Sequence, residues 1–150
     1  MGNGPDLSRF IQAQKQDYDT ALREIRNGKK ESHWMWYIFP QIRGLGTSRM
    51  SEYYAVQSRG EAAAFLEDPY LGRNLEEITR ALLELDGNDA YAVFGYPDHM
   101  KLRSCMTLFA CVSEEGSVFH RVLEKYFGGK PDTATLRLLG TDGIGGADPG

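Results

Sequence analysis

The chain has 150 residues, of which 41% are hydrophobic and 25% are charged, which is ordinary for one globular domain with a sizeable core. No apolar run approaches the roughly 18 residues of a membrane-spanning helix, and the N-terminus lacks the features of a secretory signal, so we expect a cytoplasmic protein without membrane contact. The net charge of -4 argues against general nucleic-acid binding.

The charge is nevertheless unevenly distributed. Residues 29–49 contain four cations and one acid, and residues 99–113 contain two cations and no acid. If these two basic segments meet in the fold, they form a site for an anion. If they lie on different faces, they are two modest clusters without a shared role.

Apolar residues recur at three- and four-residue steps along most of the chain, which predicts amphipathic helices. Ser, Thr and Asp residues stand where these helices would begin, and Gly or Pro where they would end. A strand is the competing interpretation only for the aromatic segment after Ser32. In chain order, nine helical segments are expected. The first four follow Asp6 as cap, Ser32 as cap (to 39), Thr47 or Ser48 as cap, and Ser58 as cap (61–67). The others are 69–85 with Asp68 as cap, 90–94, a helix to about 113 with Asp98 as cap, a helix from Glu115 or Ser117 to 127, and 132–139.

We therefore predict a mainly α-helical fold, a single compact domain of seven or eight short-to-medium helices over residues 7–140. Residues 1–6 are expected to be a flexible N-terminus. Residues 141–150 contain four glycines, one proline and two aspartates, which predicts a disordered tail.

A glycine loop lies in the first basic segment. Gly44 and Gly46, followed by Ser48, could present backbone amides to an anion, and Arg43 could bind it directly. Gln41 is a further candidate ligand-binding residue. The alternative is a plain turn, because the loop satisfies neither the dinucleotide fingerprint nor the phosphate-loop motif.

Aromatic and titratable side chains surround that loop. Trp34 and Trp36 could stack on a base or sugar ring, although aromatic residues at helical spacing often belong to a core. His33 is the leading candidate for a general acid or base, with Glu52 as the second, and the alternative for His33 is a structural hydrogen bond.

The second basic segment carries a similar polar group. Lys101 and Arg103 could hold an anion. Ser104 and Thr107 share a face of an otherwise apolar helix, where they either bond the preceding turn or line a pocket.

The spacing of potential metal-ligating residues does not indicate a metal site. The three histidines and two cysteines match no zinc motif, and no cofactor is expected. Cys105 and Cys111 point to different helix faces and are interpreted as buried, reduced thiols, with a reactive or intermolecular thiol as the alternative.

Five motifs of the chain match those of one known family. They are Ser32 to Gly46, Tyr70-Leu71-Gly72 with Leu75, Phe94-Gly95-x-Pro97-Asp98, Lys101 to Phe109, and Phe127-Gly128-Gly129-x-Pro131-Asp132. On these motifs the chain resembles a bacterial family catalogued as a domain of unknown function, number 1810. The resemblance spans about residues 7–140 and implies a small, mostly helical domain without an assigned activity. Members are sometimes labelled calpastatin-like, but calpastatin's inhibitory regions are disordered before binding, whereas this chain has the caps and periodicity of a packed domain.

A fainter resemblance, in Gln12-Ala13-Gln14-Lys15 and the aromatic segment after it, is to helical N-glycosidases of the NADAR type, which act on ADP-ribose-linked compounds. Together these features predict a pocket for a phosphorylated small molecule, a nucleotide or an ADP-ribose-like compound, which the protein could hydrolyse. The rival prediction is a non-enzymatic protein-interaction or regulatory module. The sequence leaves the reaction, the protein partner and the oligomeric state open.

Overall fold

The computed structural model describes residues 4–144, and nine helices form within this range. The described residues contain no strand, only an isolated parallel bridge between Ile42 and Val56. The predicted mainly α-helical fold is confirmed, and the nine helices in this range, three of which have only four or five residues, are close to the predicted seven or eight. The helices are α1 (Ser8–Arg26), α2 (Met35–Ile38), α3 (Arg49–Tyr53), α4 (Arg59–Glu67), α5 (Pro69–Glu84), α6 (Ala90–Phe94), α7 (Asp98–Ala110), α8 (Val118–Phe127) and α9 (Thr133–Leu139).

Side-chain caps begin most of these helices. Their oxygens accept hydrogen bonds from the first-turn amides, which have no acceptor inside the helix. Ser58 and Asp68 cap α4 and α5 as predicted, and Ser48 rather than Thr47 caps α3. Ser117 rather than Glu115 marks the start of α8, and Asp132, predicted as the first residue of the last helix, is its cap. The capping residues are Ser48, Ser58, Asp68, Asp89, Ser117 and Asp132.

Three predicted helix starts were wrong. Asp6 does not cap α1, which follows Leu7, although the Asp6 carboxylate accepts the Ser8 amide at 2.9 Å. Ser32 does not cap α2, because its amide and hydroxyl both bond to Glu24. Asp98 is the first residue of α7 rather than its cap.

Helix α5 lies at the centre of the fold, where it packs against α1, α4 and α8. Its apolar stripe is fully buried, and burial of each such side chain contributes roughly 1.5–3 kcal/mol. Helix α7 forms the second axis of the core and packs against α4, α6, α8 and α9. The buried stripe of α5 consists of Leu71, Leu75, Ile78 and Leu82.

Gly72 allows α4 and α5 to approach each other closely. A Cβ atom at this position would lie 2.1 Å from the backbone oxygen of Leu66 at the end of α4. Any side chain here would force the two backbones apart.

Cys105 and Cys111 are both buried, as predicted, and neither forms a disulfide within the described residues. Burial raises the pKa of the Cys105 thiol well above its ordinary value. Within residues 4–144, none of the helices combines the length and apolar character that crossing a bilayer requires.

The predicted flexible segment 1–6 and the predicted tail 141–150 lie partly outside the described residues, because residues 1–3 and 145–150 are not described.

Candidate functional site

A cleft of about 440 Å³ opens beside the glycine loop, and every residue that lines it comes from the segment 41–57. We call it the 41–57 cleft. Its volume is within the range of small-molecule sites. The lining residues are Gln41, Ile42, Arg43, Gly44, Gly46, Thr47, Ser51, Glu52, Ala55 and Gln57.

The two ends of this segment are held side by side through the backbone. The amide of Arg43 donates to the oxygen of Val56, and the amide of Val56 donates to the oxygen of Gln41, both at 2.8 Å. Ile42 and Val56 are buried, so these bonds fix the exposed cleft to the core. On the opposite side of the cleft, the Ser48 hydroxyl caps α3 by accepting a hydrogen bond from the Ser51 amide at 3.1 Å. Helix α3 forms this wall of the cleft.

The glycines are needed because the loop approaches its neighbours closely. Gly44 has a φ of +105°, and a Cβ atom there would lie 3.2 Å from the Leu138 side chain of α9. At Gly46, a Cβ atom would meet the Ser51 side chain at 2.6 Å. The loop is therefore shaped by packing, and its glycines keep room for the cleft.

The charge in the cleft comes from two exposed side chains. The Arg43 guanidinium donates to the Gln57 amide oxygen at 3.3 Å, so its positive charge faces a neutral partner. Glu52 is the only carboxylate among the residues that line the cleft. The cleft therefore offers one cation and one anion beside neutral amide and hydroxyl groups.

Arg9 of α1 holds the far side of α3, and the sequence did not indicate this role. Its guanidinium donates to the backbone oxygens of Tyr53 and Ala55, both at 2.8 Å, and to the Glu61 carboxylate at 2.9 Å. Both charged side chains are largely buried. α3 buries none of its own residues, and Arg9 ties its C-terminal end to α1 through the Tyr53 oxygen.

Trp34 lies in the core, with 1% of its surface exposed. Its indole N–H donates to Glu24 at 2.9 Å, and the same carboxylate accepts the amides of Glu31 and Ser32 and the Ser32 hydroxyl. Burial acts to raise the pKa of Glu24, but these hydrogen bonds outweigh it and lower the pKa to about 2. In this structure Trp34 presents no open face to a ligand.

The two basic segments come together where Lys101 approaches Trp36. The Lys101 ammonium lies 5.6 Å from the centre of the Trp36 ring, and it is also 3.6 Å from the Asp98 carboxylate. Asp98 pairs in turn with Lys30 at 2.8 Å. None of these residues lines the 41–57 cleft.

The remaining polar residues of α7 anchor the chain before α9. Arg103 donates to the oxygens of Lys130 and Pro131 at 2.9 and 3.1 Å. Ser104 donates to the Asp132 carboxylate at 3.0 Å, while Thr107 bonds the preceding turn and accepts the Asp132 amide. The side chains of Arg103, Ser104 and Thr107, which the sequence suggested as ligand-binding groups, therefore form hydrogen bonds within the protein.

The structure thus divides the predicted site residues into two sets. It brings Gln41, Arg43, Gly44, Gly46 and Glu52 into one cleft. Ser48 lies next to the cleft as the cap of α3. His33 is exposed and does not line the cleft, and Trp34, Trp36, Lys101, Arg103, Ser104 and Thr107 lie elsewhere.

A family model described as "Protein of unknown function (DUF1810)" matches residues 4–139. The chain belongs to the DUF1810 family. A solved structure similar to this family member is the crystal structure of the conserved hypothetical protein Rv1873 from Mycobacterium tuberculosis. It has 42% sequence identity and a TM-score of 0.88, and the alignment covers 91% of this chain and 98% of the other. A search of the curated proteins finds no match.

This DUF1810 member also has a larger concavity, which the sequence did not predict. This groove of about 700 Å³ lies between residues 66–80 and residues 112–121, and we call it the 66–121 groove. Three arginines and four acids line it, so it has mixed charge. Within the described residues, no three His, Cys, Asp or Glu side chains are grouped so as to hold a metal ion.

Proposed function

We propose that the 41–57 cleft binds a phosphorylated small molecule of the nucleotide or ADP-ribose type. The observation that carries the proposal is the exposed Arg43 guanidinium inside a cleft of ligand size. Its hydrogen-bond partner Gln57 is neutral, and no carboxylate of residues 4–144 pairs with Arg43. A guanidinium can donate two parallel hydrogen bonds to a phosphate, which favours this class of anion.

The rest of the lining suits the remainder of such a ligand. Gln41, Thr47 and Ser51 offer neutral donors and acceptors, and Ile42 and Ala55 form a buried apolar floor. The Glu52 carboxylate is an acceptor for the hydroxyl groups of a ribose.

Hydrolysis of the bound compound is the finer form of the proposal. As the only carboxylate lining the cleft, Glu52 is the group that would take a proton from an attacking water. His33 does not line the cleft, so this proposal assigns the role of base to Glu52.

Calorimetry with ADP-ribose, NAD and AMP tests the binding proposal. We expect saturable binding of at least one compound, and a roughly 10- to 100-fold loss of affinity in Arg43→Ala, because a charged hydrogen bond is removed. Arg49→Ala is the matched control, since Arg49 is exposed on the same segment but does not line the cleft. No saturable heat with any of the three compounds would refute the proposal.

Chromatography of the same mixtures tests hydrolysis. We expect wild type to release the base or nicotinamide from a bound compound, and Glu52→Gln to retain binding but lose the product. Binding without any product would leave a binding protein and remove the enzymatic form.

A protein-interaction role is the second candidate, and α3 itself favours it. Met50 and Tyr53 are 38% and 58% exposed on this helix, and large exposed apolar side chains often mark a contact surface. A partner that uses this surface would be released by Tyr53→Ser and retained by Arg43→Ala. The ligand proposal predicts the opposite result in calorimetry: Arg43→Ala should lose affinity for the ligand, and Tyr53→Ser should keep it.

A further inference from the structure

Ser117 and His120 form a hydrogen-bonded pair at the start of α8. The Ser117 hydroxyl oxygen lies 2.7 Å from His120 Nδ1, and His120 Nε2 lies 2.6 Å from the backbone oxygen of Ile144. A carbonyl oxygen only accepts, so Nε2 carries the hydrogen of the neutral ring. Nδ1 is then the acceptor, and the Ser117 hydroxyl donates to it.

This arrangement has the parts of an activated nucleophile. A base lies within hydrogen-bond reach of a hydroxyl, and a third group fixes the tautomer and orientation of that base. Here the three groups are Ser117, His120 and the Ile144 carbonyl.

The serine opens into the 66–121 groove. Ser117 lines this groove together with Gly116, Val118 and Phe119, while His120 adjoins Ser117 without lining it. The volume of about 700 Å³ is that of a small-molecule site. A ligand in the groove therefore has access to the serine.

Backbone amides lie beside the same serine. Val118 and Phe119 are the first two residues of the ten-residue helix α8, so their N–H groups have no acceptor within the helix. Donors of this kind stabilise the negative oxygen that develops when a serine attacks a carbonyl group.

The lining indicates the kind of substrate. Three arginines are balanced by four acids, which disfavours a polyanion such as a nucleotide. Apolar surface from Leu66, Val112 and Pro69 lies across the same groove and can contact a short acyl chain. A carboxylic ester fits this combination better than a phosphate ester.

We propose that Ser117 and His120 are the nucleophile and general base of an esterase site for small carboxylic esters, separate from the 41–57 cleft. The Ser117 oxygen attacks the ester carbonyl carbon while its proton passes to His120 Nδ1. The carbon–oxygen bond to the alcohol breaks, and the alcohol leaves with that proton. Water then attacks the acyl-serine, its proton passes to His120, and the acid leaves as Ser117 regains a proton.

Ser117 also caps α8 by accepting the His120 amide at 3.4 Å. The cap uses a lone pair of the oxygen and the proposed reaction uses the hydroxyl hydrogen, so one residue can serve both purposes. A test must separate them. Ser58 provides the control, because it caps α4 by accepting the Glu61 amide at 3.0 Å and has no histidine partner.

The experiment treats the full chain with a fluorophosphonate probe, locates the labelled residue by peptide mass spectrometry, and measures hydrolysis of 4-nitrophenyl butyrate. We expect wild type to be labelled at Ser117. Ser117→Ala should lose the label and at least 100-fold in rate, and Ser58→Ala should keep both. His120→Ala should lose roughly 10²- to 10⁴-fold in rate, with partial rescue by added imidazole.

Labelling at another serine, no labelling of folded wild type, or equal rates in Ser117→Ala and Ser58→Ala would overturn the proposal. Labelling and ester hydrolysis report on the 66–121 groove, whereas calorimetry with ADP-ribose, NAD and AMP reports on the 41–57 cleft. The esterase proposal and the proposed ligand cleft can therefore fail independently.

Discussion

The carboxylate of Glu24 accepts the indole N–H of Trp34 at 2.9 Å, and both side chains are buried. Glu24 comes from α1 and Trp34 from the residue before α2, so this bond ties the connection between the two helices to the core. It also explains why Trp34, which the sequence offered as a stacking surface, lies in the core.

We predict that Glu24→Gln destabilises the protein by about 2 kcal/mol at pH 7. The carboxylate of Glu24 accepts hydrogen bonds at both oxygens, and in the variant one of these oxygens becomes an NH₂ group that cannot accept them. Urea denaturation of wild type and variant measures the difference. Glu31→Gln, at an exposed side chain, should change the free energy of unfolding by less than about 0.5 kcal/mol.

The effect of Glu24 should also depend on pH. Hydrogen bonding lowers its pKa from 4.5 to about 2, so the folded state holds the ionised form more strongly than the unfolded state does. The stabilisation is present in full above pH 4.5 and is lost as the pH falls through about 2. The stability gap between wild type and Glu24→Gln should therefore narrow over this interval, and a gap that stays constant would contradict the assignment.

Arg9 should be the most sensitive cation in the protein. Arg9→Met leaves the buried Glu61 carboxylate without its ion-pair partner and frees two backbone oxygens, so we expect a loss of about 3 kcal/mol. Thermal or urea unfolding measures this. Arg26→Met is the matched control, since its 4.0 Å pair with Glu77 is exposed and should contribute less than about 1 kcal/mol.

Gly72→Ala should destabilise strongly although alanine favours helices. Its Cβ atom would lie 2.1 Å from the Leu66 backbone oxygen, and separating α4 from α5 should cost about 3 kcal/mol or more. Gly60→Ala, also within a helix, meets nothing closer than 3.6 Å and should be neutral or stabilise by about 0.5 kcal/mol. If the contact with Leu66 determines the effect, circular dichroism melts should show a lower melting temperature for Gly72→Ala and an equal or higher one for Gly60→Ala.

Arg103 should affect stability rather than ligand affinity. Arg103→Gln removes the bonds to the oxygens of Lys130 and Pro131, and we expect a loss of about 1.5 kcal/mol. Its calorimetric affinity for ADP-ribose should equal that of wild type. Lys15→Gln, at an exposed position of α1, is the control for loss of one charge. A reduced affinity in Arg103→Gln alone would return this arginine to the binding site.

Local patterns in the sequence predicted the helices well, because caps and apolar spacing act over a few residues. Ser58, Asp68, Ser117 and Asp132 begin helices where their chemistry indicates. The prediction failed at Ser32, whose bonding partner Glu24 lies eight residues away on another helix.

The same distinction separates the two concavities. The 41–57 cleft is contiguous in sequence, so its charge and glycines were visible as one pattern. The 66–121 groove joins segments about forty residues apart, and no sequence pattern indicates that Ser117 would face the first of them. Likewise, nothing local shows that α7 places Arg103 against Lys130 and Pro131.

The bridge between Ile42 and Val56 closes the chain on itself, which makes the intervening residues an Ω-loop with its own mouth and floor. Leu45 and Tyr54 within this loop pack against the core, whereas Arg43, Thr47 and Glu52 are exposed. The exposed positions can change without altering how the helices pack. Under the proposed function, ligand specificity would therefore diverge among relatives through these exposed residues, while the helical scaffold and the contacts of Leu45 and Tyr54 stay the same.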